Sequence, residues 1–465
     1  MASAAGRGRR RGRLPPAIAA GLLAAIVVSG ALADNRDTAP ARLNPDEARA
    51  TARQAFRLGD HASAAAISAA LLQRNPDDLT ALIVLAGAQQ ALGQDATAAA
   101  HARRAFRLTR DPNARFDAAM ILSRAHYAQG HVMRAQYWLR RSGHVAPSPA
   151  LKAVAQRDFN YIQAVKPWET RFHFGLAPSS NVNNGSDASV VMLNGLPFVL
   201  SGDARALAGV EATTGFGAKR RFRISDRRLA TLGFNLLSRN YRLTPAALAV
   251  SGGKTGADYA FGAAEIEAAL HQGSNSARQA VFVTFGRNWY GGAVLTDYAK
   301  VALAGERAVT GGALGLSLSL ERQIRADSNQ RSATLASAGL SRSFTLPAGH
   351  RATLSYSLRN VFSGSTEIAH IAHDLNFGLR LGEPVLGAQM ALGLGVNART
   401  DKSPRLAPDP RRDIGFSATI TMTLTRFEVM GFSPVIDLNL SRNLSTIDLY
   451  DSSRQNLSVG IKSTF

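Results

Sequence analysis

The sequence predicts an α+β multidomain protein in which an N-terminal all-α solenoid is followed by an antiparallel transmembrane β-barrel of about 14 strands. Three observations carry this reading. They are a basic and apolar leader, an alanine- and leucine-rich stretch with self-similar glycines, and, from Trp168 onward, short segments that alternate apolar and polar residues. The boundaries that follow are 1–33 for a signal peptide, 34–167 for a periplasmic helical domain and 168–465 for the barrel.

In the leader, Arg7, Arg9, Arg10, Arg11 and Arg13 precede the apolar run Ala17 to Val28 and the small residues Ala31-Leu32-Ala33. That order marks a secretory signal cut before Asp34; the alternative, an uncleaved anchor, has an apolar run short for a spanning helix. The chain has no cysteine, which excludes a disulfide scaffold and a lipid-modified cysteine. Losing the leader takes five arginines and no acid from the formal charge of +21, leaving +16. The excess is spread along the chain, with 18 basic and 11 acidic residues from Asp34 to Lys166 and 31 and 22 from Trp168 onward. A nucleic-acid binder gathers such charge in one patch, so outer-membrane lipid or an acidic client protein is the expected partner, and nucleic acid is not.

The helical stretch repeats itself: LGD at Leu58 to Asp60, LGQD at Leu92 to Asp95 and QGH at Gln129 to His131 place Gly59, Gly93 and Gly130 at spacings of 34 and 37. Five residues after each glycine stands a small residue, Ala64, Ala98 and Ala135. Glycine permits the turn between antiparallel helices, and alanine lets them approach. The spacing resembles the tetratricopeptide repeat, in about three degenerate copies, with Ala102 where a bulky residue is common. Stacked helix pairs leave a groove. Arg103, Arg107, Tyr127, Arg134 and Tyr137 are its candidate lining, suited to an extended or acidic client segment; a solvated helix face is the plainer reading of the same residues.

After Trp168 the period changes to two. Ile420, Met422 and Leu424 alternate with threonines, and Leu316, Leu318 and Leu320 with Ser317, Ser319 and Glu321. A β-sandwich gives such alternation too; the even count of candidate strands, about 14, and their lengths near ten residues favour a membrane barrel. Long connections such as Pro178 to Ala204 and Asn397 to Arg411 follow odd strands, and short ones such as Leu346 to Gly349 and Gly382 to Pro384 follow even ones. Lys219 to Arg228 and His271 to Arg278 are longer than an even connection should be. In the last strand Leu457, Val459, Ile461 and Phe465 share one face and resemble the terminal signal read by the barrel assembly machinery, with Ser463 departing from it.

Three blocks carry a family resemblance. PWETRFHFGLAPSSNVNNGS spans Pro167 to Ser186 and NWYGGAVLTDYAKVALAGERAV spans Asn288 to Val309. The closing series contains Arg412-Asp413, Gly431-Phe432-Ser433-Pro434, Arg442-Asn443-Leu444-Ser445 and Asp448-Leu449-Tyr450. Together they resemble the surface lipoprotein assembly modifier (Slam) family. The resemblance singles out Trp168, Asn181, Asn183, Gly431, Pro434, Asn443, Ser445 and Tyr450. It implies an outer-membrane protein translocator, with repeats capturing a client and a barrel passing it to the cell surface. Residue by residue, Trp168 also suits an interfacial belt, Gly431 and Pro434 a turn and strand start, and Asn181 to Asn184 a solvated external loop.

No HExxH or GxSxG context is present, so no catalytic, metal-binding or cofactor-binding residue is expected and the chain is read as not an enzyme. The rival reading is an exopolysaccharide export porin with a periplasmic repeat scaffold, which should carry more repeats and a strongly charged lumen. The inward candidates here are largely Ser, Thr, Ala and Gly.

Overall fold

A computed structural model describes residues 43–193 and 196–464; the expected leader and Phe465 lie outside the described residues. Among the described residues seven helices precede the barrel: α1 Pro45–Leu58, α2 His61–Arg74, α3 Leu79–Ala91, α4 Asp95–Leu108, α5 Pro112–Ala128, α6 Val132–Val145 and α7 Pro149–Val165. Their starts are written locally. Asn44 and Glu47 form a reciprocal capping box, and Pro45, Pro112 and Pro149 occupy first-turn positions, where no N–H is missed.

The three self-similar glycines make one and the same turn. Gly59, Gly93 and Gly130 have φ of +86°, +79° and +78°. The following N–H reaches back to close the helix, Asp60 to Ala55 O at 2.9 Å, Gln94 to Gln89 O at 2.8 Å and His131 to His126 O at 2.8 Å. Ala64, Ala98 and Ala135 are fully buried where the paired helices meet. Ala102 packs with Ala86, Ala98, Leu122 and Ala125, so the missing bulky residue belongs to an alanine-lined helix crossing, and Trp138 fills the margin.

The barrel follows directly. Its strands are β1 Trp168–Ser179, β4 Gly209–Arg223, β5 Arg228–Leu243, β6 Phe261–Gly273, β7 Ala277–Tyr290, β8 Ala293–Val309, β9 Gly312–Arg325, β10 Ala333–Thr345, β11 Arg351–Ser363, β12 His370–Arg380, β13 Gln389–Asp401, β14 Arg412–Thr423, β15 Phe432–Ser445 and β16 Ser452–Ser463. These fourteen close into one antiparallel barrel, β1 meeting β16, while β2 Val190–Leu193 and β3 Leu196–Val199 form a hairpin within the first long loop. No described helix is long and apolar enough to cross a membrane; the strands do so.

The expected count holds, and the two overlong even connections contract to residues 224–227 and 274–276 because β4, β5, β6 and β7 run further than the alternation alone suggested. The expected alternation of lengths departs in two ways: Gly291 and Gly292, at φ +56° and +83°, join β7 to β8 by themselves, and the even connections 381–388 and 424–431 are longer than the odd ones 364–369 and 446–451.

Strand register sorts the faces. Leu314, Leu316, Leu318 and Leu320, with Val301, Leu303, Leu340, Leu354, Leu375, Leu394, Phe416, Leu440, Leu457 and Val459, form an outward apolar belt. This is the lipid-facing band of an outer-membrane barrel. Inward, Thr421 donates to Asp437 at 2.5 Å, Thr419 to Asn439 at 3.0 Å and Asn397 to Asp374 at 2.6 Å, and Lys219 pairs with Glu267 at 3.6 Å. Tyr298 lies across β7 to reach Glu265, over Gly286, where any Cβ would strike its ring at 2.3 Å. The lumen is therefore more charged than the sequence reading expected. Small residues line it mainly on β8 to β11, through Ala302, Ala304, Gly315, Ser317, Ser319, Gly339, Ser341, Ser355 and Ser357.

Candidate functional site

Trp168, Asn181, Asn183, Gly431, Pro434, Asn443, Ser445 and Tyr450 gather on the strands that close the barrel and the loops that join them. β15 and β16 are paired without interruption from Phe432 with Ser463 to Asn443 with Ser452. On its other edge β16 meets β1 only as Gly175 with Gly460, Leu176 with Val459 and Ser179 with Asn456 among the described residues. Below Gly175 the partner edge of β1, Trp168 to Phe174, has no described strand pairing with β16, and Phe172 and Ile461 there are 81% and 77% exposed.

At the extracellular end the seam is tied by side chains. Asn181 is buried; its amide donates to Gly185 O at 2.9 Å and Ser453 O at 3.3 Å and accepts from Gly185 N at 3.0 Å. Gly185 admits no Cβ, which would sit 2.2 Å from Arg205 O. Asn183 donates to Asp203 O and Arg205 O, both at 2.7 Å, and accepts from Leu207 N at 2.9 Å. From β16, Arg454 donates to Asn181 O at 2.7 Å. The opposing loop joins in: Asn443 donates to Tyr450 O at 2.8 Å, Ser445 N donates to Asp451 at 2.6 Å, and the guanidinium of Arg411 lies 3.4 Å over the Tyr450 ring. Asn181 and Asn183, expected in a solvated run, are thus structural, since both satisfy backbone groups that a folded loop would otherwise bury unpaired, while Asn184 is exposed and accepts from Arg454.

At the periplasmic end the helical domain supplies the tie. Arg140 of α6 donates to Met430 O at 3.3 Å, Gly431 O at 3.0 Å and Ser463 Oγ at 2.7 Å, and its guanidinium stacks on Phe159 at 4.6 Å and Phe432 at 4.3 Å. Burial pushes the Arg140 group down from its ordinary pKa and Glu428 pulls it back up; it stays charged. Lys152 of α7 pairs with Glu428 at 3.0 Å, and Arg221 of β4 donates to Gln163 O at 3.3 Å. Gly431, at φ +75°, completes the turn that presents these carbonyls, and Pro434 stands in β15 just beyond. Trp168 starts β1, half exposed beside Arg220 as a belt aromatic. Leu457, Val459 and Ile461 share the outward face as expected; Phe465 lies outside the described residues.

The helical candidates do not form one site. Arg103 and Arg107 line a cleft with Arg110, Arg115, Arg141, Phe106, Thr109 and Trp138; Tyr137 stands at its margin, accepting from Arg141 at 3.1 Å. Tyr127 instead packs against Phe116, Phe159 and their neighbours, and Arg134 sits near His126. A second cavity, of about 1120 Å³, opens at the periplasmic mouth between the α7 end and the small-residue wall, and is rimmed by Arg223, Arg227, Arg228 and Arg278. Arg140, Arg454 and Gly185 escaped the sequence reading. Only the helical spacing of Arg103, Arg107 and Arg110 offered a usable cue.

No family model and no curated protein matches the chain. Solved structures that it is similar to are membrane barrels. The COG4313 outer membrane channel from Pseudomonas putida F1 is 12% identical over 63% of this chain and 95% of its own, with a TM-score of 0.31. A bacterial polysaccharide outer membrane secretin is 10% identical over 63% and 98%, TM-score 0.33. CdiB from Acinetobacter baumannii is 10% identical over 64% and 60%, TM-score 0.35.

Proposed function

We propose that this outer-membrane barrel is a protein translocator that delivers client proteins, lipoproteins among them, from the periplasm to the cell surface. In this reading the repeats capture the client, the barrel passes it, and no catalytic residue takes part. The observation that supports it most is the Arg140 strut, which joins the helical domain to the sparsely paired closing strands. The eight residues singled out by the Slam resemblance lie along the strands and loops of that seam, while the Asn288 to Val309 block lies on β7 and β8. Client folding outside would make the step irreversible in practice.

Membrane-impermeant labelling of intact cells, with and without this gene, tests the proposal. One or two proteins should vanish from the surface while persisting in the periplasm. An unchanged surface proteome, with candidate clients expressed, sinks it. A second reading, exopolysaccharide export, draws on the charged inner wall of Glu265, Glu267 and Glu321; loss of surface polysaccharide instead of protein would favour it.

A further inference from the structure

The arginines that looked scattered along the chain converge in space on the helical domain. Arg103 and Arg107 of α4, Arg110 just after it, Arg115 of α5 and Arg141 of α6 surround a cleft of about 440 Å³ floored by Phe106 and Trp138. Arg115 and Arg141 stack on the Phe106 ring, at 4.4 Å and 5.0 Å, and Trp138 meets that ring edge-on at 5.2 Å. Aromatic faces, not carboxylates, thus hold these guanidiniums in place. None of the five is in an ion pair among the described residues, and Nε of Arg115 is buried without a hydrogen-bond partner. The one carboxylate on the same turn, Asp111, is occupied in capping α5 through Ala114 N at 2.8 Å.

Five like charges around a partly desolvated hollow repel one another, and a buried donor without an acceptor costs stability. Both costs are relieved by a ligand that brings several oxyanions into the hollow. We propose that this cleft binds an acidic, extended peptide segment, whose carboxylates the guanidiniums grip in bidentate fashion while its backbone lies on Phe106 and Trp138. The concave shape argues for a peptide over a bilayer, since a plane of headgroup phosphates cannot reach the buried Nε of Arg115 or the Phe106 and Trp138 floor. The inference rests on the translocator reading and gives it a substrate preference: clients, or their leading segments, rich in Asp and Glu.

The test uses the full chain in detergent and a fluorescein-labelled peptide of alternating glutamate and glycine, read by anisotropy. Arg107→Glu with Arg110→Glu, both exposed, should weaken binding at least about tenfold. Arg53→Glu with Arg57→Glu, on exposed positions of α1, changes net charge equally and should leave it unchanged. Equal loss in the two double variants, or no binding by the unaltered chain, overturns the proposal. So does arginine-dependent binding to phosphatidylglycerol vesicles in place of the peptide. Surface display of the client in cells carrying the same variants separates the two readings. Normal display by the Arg107→Glu, Arg110→Glu chain removes the cleft from the capture step and leaves translocation standing, whereas unchanged display on deleting the gene removes translocation itself.

Discussion

The two edges of β16 face different neighbours in different ways. Toward β15 every residue from Ser452 to Ser463 has a partner; toward β1 the described pairing is confined to Gly460, Val459 and Asn456. The side chains are the same on both edges, so the residue pattern of β16 does not decide how firmly it is held. The hairpin edge is joined through the short 446–451 loop, which fixes register locally, whereas the β1 edge joins the two ends of the barrel and must be registered by whatever lies above and below it. Above, that is the asparagine-built loop; below, it is Arg140. One edge is set by the chain itself and the other by tertiary contacts from the loop above and the helical domain below.

The largest expected effect comes from abolishing that difference. Leu176→Cys with Val459→Cys joins facing residues of the seam, and because the chain has no other cysteine the cross-link is unambiguous. Oxidised cells should lose client display and regain it with reductant; display that survives oxidation assigns the route to the lumen. Next, Arg140→Ala removes two carbonyl bonds, the bond to Ser463 Oγ and two ring contacts. About 2–3 kcal/mol of docking free energy should go with them, seen as faster proteolysis between α7 and β1 while the barrel itself stays resistant. Arg140→Lys should restore this only in part, lacking the guanidinium fork.

Sharpening the upper end, Asn181→Ala leaves Gly185 N and O without their partner and should cost about 1–3 kcal/mol, read as a lower temperature at which the barrel loses its heat-resistant fold. The smallest effect concerns pH in the helical domain. His126 is buried with neither ring nitrogen bonded, and burial, then Arg103 and Arg134, hold its pKa below the ordinary histidine value. The folded state thus binds fewer protons than the unfolded one, and stability is present above the unfolded value of about 6.5 and declines as pH falls from there toward the lowered one. Melting of the helical signal should move down modestly on acidification, and His126→Phe should flatten that dependence.

Barrel, strand count and repeat turns were legible because each follows from local periodicity: the two-residue alternation of Leu316 to Leu320, and the glycine of each LGD-like segment. The seam and the arginine cleft were not. Arg140 contacts residues 290 and more positions away, and Asn181 finds Ser453, 272 positions away, across the seam where the two ends of the barrel meet. The arginine excess looked uniform along the chain because the cleft draws on three helices, and only folding brings Arg110, Arg115 and Arg141 to one cleft and the last two of them to one ring. Tyr127 packs partly buried against the α5–α7 core, and an aromatic on an alanine-rich helix has the same sequence signature whether it faces a groove or that core.

The inner wall of β8 to β11 has a kinetic meaning as well. Gly315, Ser317, Gly339, Ser341, Ser355 and Ser357 present almost no relief on which a sliding chain can catch. Each hydroxyl offers a weak contact that is exchanged for an equivalent one a few ångströms on, and no deep well interrupts the series. Under the proposed function, a client routed through the lumen would meet a low-friction track here, its movement governed by the pull at its ends and not by the wall.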